Sequence, residues 1–359
     1  MFYSLFRPAL FMTEAETAHR LSLAALRLLP KAGGRGIAET SPILAQNLAG
    51  LNFPNPVGLA AGYDKNAEVA APILRLGFGF TEVGTLTPRP QIGNPRPRLF
   101  RLVEDEAVIN RMGFNNDGQH AAMIRLERLR RTKLPGLVGV NIGANKDSGD
   151  FIADYAAGVR AMARYADYLT VNISSPNTPG LRALQDKAAL DDLLAAVMAA
   201  RRDLPGEDGG KNTTIFLKVA PDLDAADVDD IVAISVNHRV DALIIANTTI
   251  SRPMLRSRHA AEPGGLSGAP LAALALARLR DFRAASAAKI PLIAVGGISS
   301  GREAYARIKA GASLIQLYSA LVYHGPGLAA QINRDLIRLL QDDGFANITQ
   351  AVGSGEIKR

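Results

Sequence analysis

The residues of this chain that could do chemistry gather where apolar segments end. The segment NISSPNTPGLR, residues 172–182, directly follows the apolar run 168–171. Within seven positions it carries five amide or hydroxyl side chains: Asn172, Ser174, Ser175, Asn177 and Thr178. Amides and hydroxyls can donate and accept hydrogen bonds. A strand that ends in such a cluster and then turns at Pro176 and Pro179 indicates side chains held out to contact a ligand.

Polar or glycine residues finish most of the other apolar runs as well. They are Lys65, Thr85, Asn141, Asn172, Lys218, Asn247, Thr248, Gly296, Gly297, Tyr318 and Ser319. Taken singly, a lysine or an asparagine at a strand end is more often a turn residue than a catalytic group. Lys218 is the strongest candidate for a functional residue among them, because it lies inside the apolar segment IFLKVAP. Burying its ammonium group is costly unless an anionic or electron-rich ligand meets it.

Eight short apolar runs position these residues. They begin at residues 57, 80, 137, 168, 214, 242, 292 and 313, and helical segments separate most of them. Near-continuous apolar strands alternating with helices predict a parallel sheet. Eight such units over roughly 270 residues fit an α/β fold closed as a (β/α)8 TIM barrel, which gathers its active site at the carboxyl ends of the strands.

A doubly wound open sheet is the alternative fold. We favour the barrel because a switch-point site would draw on only a few strand ends, whereas here nearly every strand ends in a polar residue or a glycine. The gap from 88 to 136 holds an insertion. Its segment RLFRLVEDEAVINR predicts a hairpin that turns at Glu104 to Glu106 and presents NRMGFNN near the barrel mouth.

The last two strands predict a phosphate site. Gly296 and Gly297 free backbone amides, and a helix begins near Ser300, which together suit a phosphate in the place usual for this fold. The chain has no Walker loop, no G-x-G-x-x-G after a first strand and no H-E-x-x-H. A phosphate at strands 7 and 8 with a lysine from strand 5 suits flavin mononucleotide (FMN), with the Lys218 cation facing the N1/O2 side of the ring.

The composition removes several kinds of chemistry. The chain contains no cysteine, which excludes disulfides, thiolate nucleophiles and cysteine-bound zinc or iron–sulfur centres. Its five histidines are scattered with no pair at metal-ligand spacing, so we predict no metal site. The net charge of +7 could favour an anionic small molecule, anionic lipid or nucleic acid. No basic run interleaved with aromatic residues supports nucleic-acid binding.

The first 36 residues differ from the rest and predict a small N-terminal helical extension to a barrel of residues 37–359. Apolar residues crowd positions 2–11, and Thr13 with Glu16 predicts a capping box that opens a second helix ending at Pro30. Charged residues interrupt the segment too often for a transmembrane span, and no signal-peptide pattern is present. The pair is either a hairpin packed on the main domain or an interfacial anchor that also admits an apolar ligand. The segment KAGGRG, residues 31–36, is the predicted linker.

Seven motifs in register resemble the class 2, quinone-linked dihydroorotate dehydrogenases over nearly the whole chain. They are AAGYDKN, NRMGFNN, NISSPNTPGLR, ANTT, GGLSG, VGGI and YSAL. The resemblance implies an enzyme of pyrimidine (UMP) biosynthesis that holds one FMN per chain. Such an enzyme oxidises (S)-dihydroorotate to orotate and passes the electrons to a membrane quinone. We accordingly expect a monomer bound peripherally to the cytoplasmic face of a bacterial inner membrane, without an iron–sulfur subunit.

The resemblance also implies roles for individual residues. Ser175 matches the catalytic base, which removes the C5 proton while the C6 hydride goes to flavin N5. Because a serine needs a route for its proton, we assign Thr178 to orient a water. The implied substrate-binding residues are Lys65, Asn110, Arg111, Met112, Gly113, Phe114, Asn172, Asn177, Asn247 and Thr248. The implied cofactor-binding residues are Ala61, Gly62, Tyr63, Asp64, Lys65, Thr85, Asn141, Asn172, Lys218, Ala246, Gly268, Gly297, Tyr318 and Ser319.

The quinone path is the remaining implied site. His19 and Arg101 match polar positions along it, and the alternative is a helix-surface histidine and a hairpin arginine. Two residues depart from the family pattern: Ala246 replaces a hydroxyl residue before NTT, and Tyr63 stands where leucine or phenylalanine is more usual. We expect both to adjust flavin affinity at most.

The sequence leaves two rival functions open. One is an FMN barrel oxidase of 2-hydroxy acids, which usually needs a histidine that no strand end here supplies. The other is a membrane-surface scaffold that keeps the barrel as a relic. A relic predicts decay at the barrel rim, whereas the polar residues of the rim are intact.

Overall fold

The structure is a computed structural model that describes residues 2–28, 41–204 and 213–355. Within these ranges the strands are β1 (Gln46–Leu48), β2 (Leu51–Phe53), β3 (Val57–Asp64), β4 (Phe80–Leu86), β5 (Leu99–Leu102), β6 (Ala107–Asn110), β7 (Leu137–Ile142), β8 (Tyr168–Asn172), β9 (Thr214–Val219), β10 (Ala242–Ile245), β11 (Gly265–Gly268), β12 (Leu292–Val295) and β13 (Ala312–Leu317). The helices are α1 (Phe2–Met12), α2 (Ala15–Arg27), α3 (Ala70–Arg75), α4 (Gly118–Arg130), α5 (Phe151–Met162), α6 (Lys187–Arg202), α7 (Ala225–Asn237), α8 (Ala272–Ser286), α9 (Gly301–Lys309), α10 (Ala320–His324), α11 (Leu328–Asp342) and α12 (Ile348–Ala351).

Eight parallel strands close into a barrel. The order around it is β10, β12, β13, β3, β4, β7, β8 and β9, and β9 pairs with β10 to close the ring. Each strand is one of the eight predicted apolar runs, so the (β/α)8 barrel is confirmed and the open sheet is wrong. The strands read as continuous apolar runs because helices cover their outer faces while side chains fill the interior.

Aromatic rings fill the amino-terminal end of the barrel. Phe80 and Tyr168 begin β4 and β8, and Phe53 of β2 packs on the Phe80 ring with centroids 5.2 Å apart. Gly58 and Gly139 leave the room for these rings, since a Cβ at either position would lie 2.2 Å from a ring atom. Because this end is filled, open space for a ligand is left at the carboxyl ends of the strands.

A three-stranded antiparallel sheet, β5, β6 and β11, lies beside the barrel mouth. β5 and β6 pair in register from Leu99 opposite Asn110 to Leu102 opposite Ala107. Their turn passes through Glu106, which has a left-handed φ of 45°. The hairpin predicted for this insertion is therefore confirmed, including its turn at residues 104–106.

The predicted N-terminal helices are present as α1 and α2, but the predicted cap of α2 is wrong. The side chain of Glu14, and not that of Thr13, accepts hydrogen bonds from the amides of Glu16 and Thr17 at 2.8 Å each. Glu16 is buried and instead binds the guanidinium of Arg98, at 2.8 and 3.1 Å. The helix ends at Arg27. Pro30 and the predicted linker, residues 31–36, lie outside the described residues.

Candidate active site

One continuous cavity of about 760 Å³ runs from the N-terminal helices to the mouth of the barrel. Most of the residues predicted to form the sites line it. These are His19, Ala61, Gly62, Tyr63, Lys65, Thr85, Arg101, Asn110, Met112, Gly113, Phe114, Asn172, Ser175, Asn177, Lys218, Asn247, Thr248, Gly268, Gly297, Tyr318 and Ser319. The structure thus brings together residues from ends of the chain that are some 300 positions apart.

Five of the predicted site residues do not line the cavity, namely Asp64, Arg111, Asn141, Thr178 and Ala246. Asp64 is fully buried and accepts hydrogen bonds from the amides of Glu68 and Val69, at 2.8 Å each. Arg111 turns outward, 2.8 Å from Glu262. Asn141 and Ala246 are buried. Asp64 and Arg111 therefore shape the loops around the cavity, and Asn141 lies beneath its wall.

Ser175 lies in the loop that follows β8, at the buried end of the cavity. Its Oγ accepts a hydrogen bond from the amide of Asn177 at 3.2 Å. The hydroxyl of Thr178 is buried and has no hydrogen-bond partner within the described part of the chain. A buried hydroxyl without a partner is costly, which makes Thr178 a place where a water or ligand atom would be stabilised.

Arg182 holds this loop, and its sequence context did not identify it as a site residue. Its guanidinium donates to the carbonyl of Ser174 and to that of Thr248, both at 3.0 Å. It also forms an ion pair with Asp222 at 2.9 Å. The arginine therefore joins the loop after β8 to the loop after β10. Its role depends on contacts across the barrel mouth, which no local sequence pattern reveals.

A chain of amide and hydroxyl hydrogen bonds crosses the floor of the cavity. Thr85 donates to Oδ1 of Asn141 at 2.6 Å, and Nδ2 of Asn172 donates to both of them at 3.1 Å. The chain continues through Ser174 to Asn247, whose Nδ2 donates to the Ser174 hydroxyl at 2.7 Å.

This chain begins at Glu82, a second residue that was not predicted from the sequence. Glu82 is fully buried on β4 and accepts from Nδ2 of Asn141 at 3.0 Å. The sequence did contain a signal for Glu82, because a carboxylate inside the apolar run FTEVGTL is as unusual as the lysine inside IFLKVAP.

Two lysines face the same space, Lys218 buried and Lys65 half-buried. Burial lowers the pKa of Lys218, and the carboxylate of Glu82 opposes that shift. Desolvation lowers the pKa of Lys65 to about 8, against an opposing contribution from Glu16, and its ammonium donates to the carbonyl of Gly62. Both cations favour an anionic or electron-rich occupant.

The double glycine after β12 forms a tight turn against α8. Gly296 and Gly297 have φ values of 106° and 66°, and a Cβ on Gly297 would lie 2.3 Å from Cα of Ala272. Helix α9 follows, and the hydroxyl of its N-cap residue Ser300 accepts from the amide of Glu303 at 3.2 Å. The backbone amides of this turn and the start of α9 therefore lie near the part of the cavity that Gly296 and Gly297 line, as a phosphate site requires.

A buried cation lies behind this turn. Arg307 donates to the carbonyl of Ala272 at 2.7 Å and to that of Gly296 at 3.3 Å. Its Nε has no partner within the described residues, and the carboxylate of Glu303 on α9 acts on it electrostatically. Burial lowers the pKa of Arg307 to about 10, so the group stays charged at neutral pH.

The other end of the cavity is apolar and aromatic. His19 of α2 packs edge-on against Tyr63, with ring centroids 5.1 Å apart, and Tyr63 packs likewise against Tyr318 at 5.7 Å. Burial and the nearby Lys65 cation lower the pKa of His19 to about 3, so its ring is neutral at physiological pH. The unusual Tyr63 has a specific contact, since its hydroxyl lies 2.9 Å from that of Ser22 on α2.

Arg101 lines this end of the cavity but also fastens the helix pair. Its guanidinium donates to the carbonyls of Leu10 at 3.1 Å and Phe11 at 3.3 Å, and to that of Thr13. It also lies 4.9 Å from the centroid of the Phe11 ring. These contacts satisfy carbonyls at the end of α1 and so hold the turn between α1 and α2.

The described residues contain neither a membrane span nor a metal cluster. None of the helices described is long and apolar enough to cross a membrane. No group of three or more histidine or acidic side chains in the described ranges is arranged to hold a metal ion.

Comparisons with known proteins agree with this geometry. A family profile described as dihydroorotate dehydrogenase matches residues 43–340. A protein of Sphingopyxis alaskensis called dihydroorotate dehydrogenase (quinone) is 62% identical over 98% of this chain and 97% of its own length. A protein of the same name from Novosphingobium aromaticivorans is 62% identical over 98% of this chain and 99% of its own length.

Solved structures are similar too. The crystal structure of DHODH from Eimeria tenella in complex with ferulenol has a TM-score of 0.89 and 40% identity, covering 94% of this chain and 95% of that one. The ligand-free form from the same organism has a TM-score of 0.90 at 40% identity, covering 95% and 99%.

Proposed function

Because the chain belongs to the quinone-dependent dihydroorotate dehydrogenases, an oxidoreductase family of pyrimidine biosynthesis, we propose that it oxidises (S)-dihydroorotate to orotate with FMN as hydride acceptor and a membrane quinone as final electron acceptor. The observation that carries the proposal is the continuity of the cavity described above. The cavity joins a polar pocket with Ser175, Asn177 and two lysines to an apolar end that residues of α1 and α2 line.

The residues at the barrel mouth fit FMN. The amide of Gly297, the start of α9 and the buried cation of Arg307 suit its phosphate. Lys218 supplies the positive charge that suits the N1/O2 edge of a flavin. When bound, FMN would take the C6 hydride of dihydroorotate and pass the electrons on to a quinone.

Ser175 is the proposed base for the C5 proton. Its Oγ accepts from the amide of Asn177, which leaves the hydroxyl hydrogen free to be handed on. Thr178 supports that route, because its buried hydroxyl lacks a partner within the described residues and could orient a water. A positioned base and an exit for its proton are the two requirements of general base catalysis.

The amides around Ser175 are proposed to recognise the pyrimidine ring. Asn177 donates to Asn110 at 3.3 Å across the pocket, and Asn247 lines the same space. Carbonyl and imide groups alternate around the substrate ring, and amides can answer each of them. Lys65, half-buried in the same cavity, suits the substrate carboxylate.

The apolar end is proposed as the quinone entry. His19 is neutral there, and the lining includes Phe11, Ala18 and Leu21. Leu5, Phe6 and Met12 are exposed on α1, which supports peripheral binding to a membrane surface. We therefore retain residues 1–36 as the membrane and quinone segment, with a monomer at the cytoplasmic face of a bacterial inner membrane.

An anaerobic visible spectrum of the purified protein tests the proposal. We expect a flavin band that bleaches when dihydroorotate is added and recovers with a short-chain quinone. A flavin band that ignores dihydroorotate would contradict the substrate. Absence of any flavin after reconstitution with FMN would contradict the cofactor.

We expect Arg307→Gln to weaken FMN binding roughly tenfold while leaving riboflavin binding unchanged. The guanidinium of Arg307 donates to the carbonyl of Gly296, which belongs to the same peptide unit as the amide of Gly297. The carbonyl and the N–H of a trans peptide point in opposite directions, so the N–H of Gly297 points away from Arg307. Losing one charge-assisted interaction of roughly 1.4 kcal/mol raises the dissociation constant of FMN about tenfold. Fluorescence titration of apoprotein with each flavin gives both dissociation constants.

Arg307→Lys is the matched control for the same titrations, because it keeps the charge, and we expect FMN affinity near that of the unchanged protein. Equal weakening of FMN and riboflavin by Arg307→Gln would show that the residue only supports the fold.

A further inference from the structure

Asn94 lies in the loop between β4 and β5, at a point where three other segments of the barrel mouth meet, and it is not part of the cavity lining. Its Nδ2 donates to the carbonyl of Arg111 at 3.0 Å and to the carbonyl of Asn177 at 3.3 Å. Its Oδ1 accepts from the ammonium of Lys146 at 3.1 Å. One side chain therefore joins the segment after β6, the loop after β7 and the loop after β8, which carries Ser175.

The three partners fix which way the amide of Asn94 faces. A carbonyl oxygen only accepts hydrogen bonds, and an ammonium group only donates them. Nδ2 must therefore face the carbonyls of Arg111 and Asn177, and Oδ1 must face Lys146. The two hydrogens of Nδ2 match two carbonyls, so turning the amide over would break all three bonds.

The backbone of Asn94 is held on both sides as well. Its amide donates to the carbonyl of Met112 at 3.0 Å, and its carbonyl accepts from the guanidinium of Arg98 at 2.9 Å. Arg98 is itself buried and paired with Glu16 of α2. A Cβ at Gly113 would lie 2.8 Å from Cγ of Asn94, so the glycine leaves the room that the asparagine fills. Asn94 thus presents its two donors from a fixed position.

The bond from Asn94 to Asn177 is the one that bears on the reaction. Asn177 follows Ser175 by two residues, and its side chain donates to Asn110 at 3.3 Å across the pocket. Because amides in this pocket are proposed to bind the pyrimidine ring, a ligand competes for the bond between these two side chains. The bond from Asn94 goes instead to the backbone carbonyl of Asn177, and no other donor in the described part of the chain bonds that carbonyl. This bond can therefore persist while a ligand is bound.

Arg182 does not duplicate this contact. It bonds the carbonyl of Ser174, which precedes Ser175, whereas Asn94 bonds the carbonyl of Asn177, which follows Ser175. The proposed base therefore lies between two anchored carbonyls. Loss of the second anchor would free the backbone of Asn177 and weaken the position of its side chain over the pocket.

We propose that Asn94 is a positioning residue: its two amide hydrogens fasten the loop after β8 to the segment after β6, and so keep Asn177 closed over a bound pyrimidine. Asn94 acts through this loop and does not touch the ligand. Its effect is on how long the ligand stays bound, and not on how FMN binds. The inference rests on the proposed function, since it takes dihydroorotate and orotate as the ligands.

Asn94→Asp separates the two donors from the rest of the side chain. Aspartate keeps the size of the residue and an oxygen for Lys146, but it has no hydrogen for the carbonyls of Arg111 and Asn177. Stopped-flow recording of the flavin band gives the association and dissociation rate constants of orotate on FMN-saturated protein. We expect the dissociation rate constant to rise about tenfold, as for a lost hydrogen bond that leaves a carbonyl unpaired. The association rate constant should stay within about twofold.

Lys146→Met is the matched control, because it removes the third partner of Asn94 and keeps both donors. Lys146 is exposed and is not part of the cavity lining. We expect both orotate rate constants of this variant to stay within about twofold of those of the unchanged protein. Equally fast dissociation from Lys146→Met and Asn94→Asp would overturn the proposal, because the two donors would then not be the cause.

Asn94→Ala covers the case in which Asn94→Asp does not fold or its new charge repels the two carbonyls. It removes the same donors without adding a charge, so its dissociation rate constant for orotate should also rise about tenfold. Normal dissociation from Asn94→Ala would overturn the proposal. A loss of FMN affinity that matches the loss of orotate affinity would overturn it too, since Asn94 would then only support the fold.

The unchanged holoprotein separates failure of this inference from failure of the proposed function. If its flavin band does not respond to orotate, the proposed function fails, and the inference fails with it. If it responds, and the Asn94 variants release orotate at the same rate, the inference alone is contradicted.

Discussion

Ser175→Ala should retain FMN and bind orotate but lose most dihydroorotate oxidation. We expect the anaerobic bleaching of the flavin by dihydroorotate to slow by roughly 10²- to 10⁴-fold, the usual contribution of general base catalysis. Orotate needs no base to bind, so its dissociation constant should change little. Stopped-flow absorbance with dihydroorotate, together with an orotate titration, measures both quantities on one preparation.

Ser175→Cys serves as the rescue variant for this experiment. A thiol is a stronger acid than a serine hydroxyl, and its thiolate can take a proton, so we expect Ser175→Cys to reduce the flavin faster than Ser175→Ala. Near-normal bleaching in Ser175→Ala would refute Ser175 as the base. Loss of orotate binding in the same variant would indicate instead that the loop had moved.

Ala18→Phe should block electron transfer to quinone without affecting dihydroorotate. Ala18 lies on α2 and lines the apolar end of the cavity. A phenyl ring at this position would fill space that the quinone must occupy, and forcing both into it would cost about 1–3 kcal/mol. We therefore expect the second-order rate constant for flavin reoxidation by a short-chain quinone to fall roughly ten- to hundredfold. Stopped-flow measurement of each half-reaction separates the two effects.

Ala24→Phe is the matched control for Ala18→Phe. Ala24 is exposed on the same helix and is not part of the cavity lining, so quinone reduction should stay near normal. Equal loss of both half-reactions in Ala18→Phe would mean that α1 and α2 act as a structural lid. Unchanged reoxidation would mean that quinone reaches the flavin by another route.

Much of the fold could be predicted because its signals are local. Apolar runs such as FTEVGTL and TIFLKVA identify strands from neighbouring residues alone. Once eight strands close into a barrel, their carboxyl ends share one rim. Ser175 and Lys218 could therefore be placed together from the sequence, and the structure puts both in the cavity wall.

The helix cap shows where local reasoning failed. Thr13 and Glu16 have the spacing of a capping box, but Arg98 is buried in the folded chain and binds Glu16 at 2.8 Å. A buried guanidinium without a counter-charge costs more than the ~1 kcal/mol that a helix cap contributes. Glu16 therefore forms the ion pair with Arg98, and Glu14 caps α2 instead.

The chain by itself determined which residue types reach the barrel rim, because burial and strand periodicity depend on neighbours in sequence. Only the tertiary structure decided how those groups are oriented. Glu82 meets Asn141 across 59 positions and Gln316 across 234. A hydrogen bond has a direction, set by which partner carries the hydrogen, and that direction exists only once strands distant in sequence lie side by side.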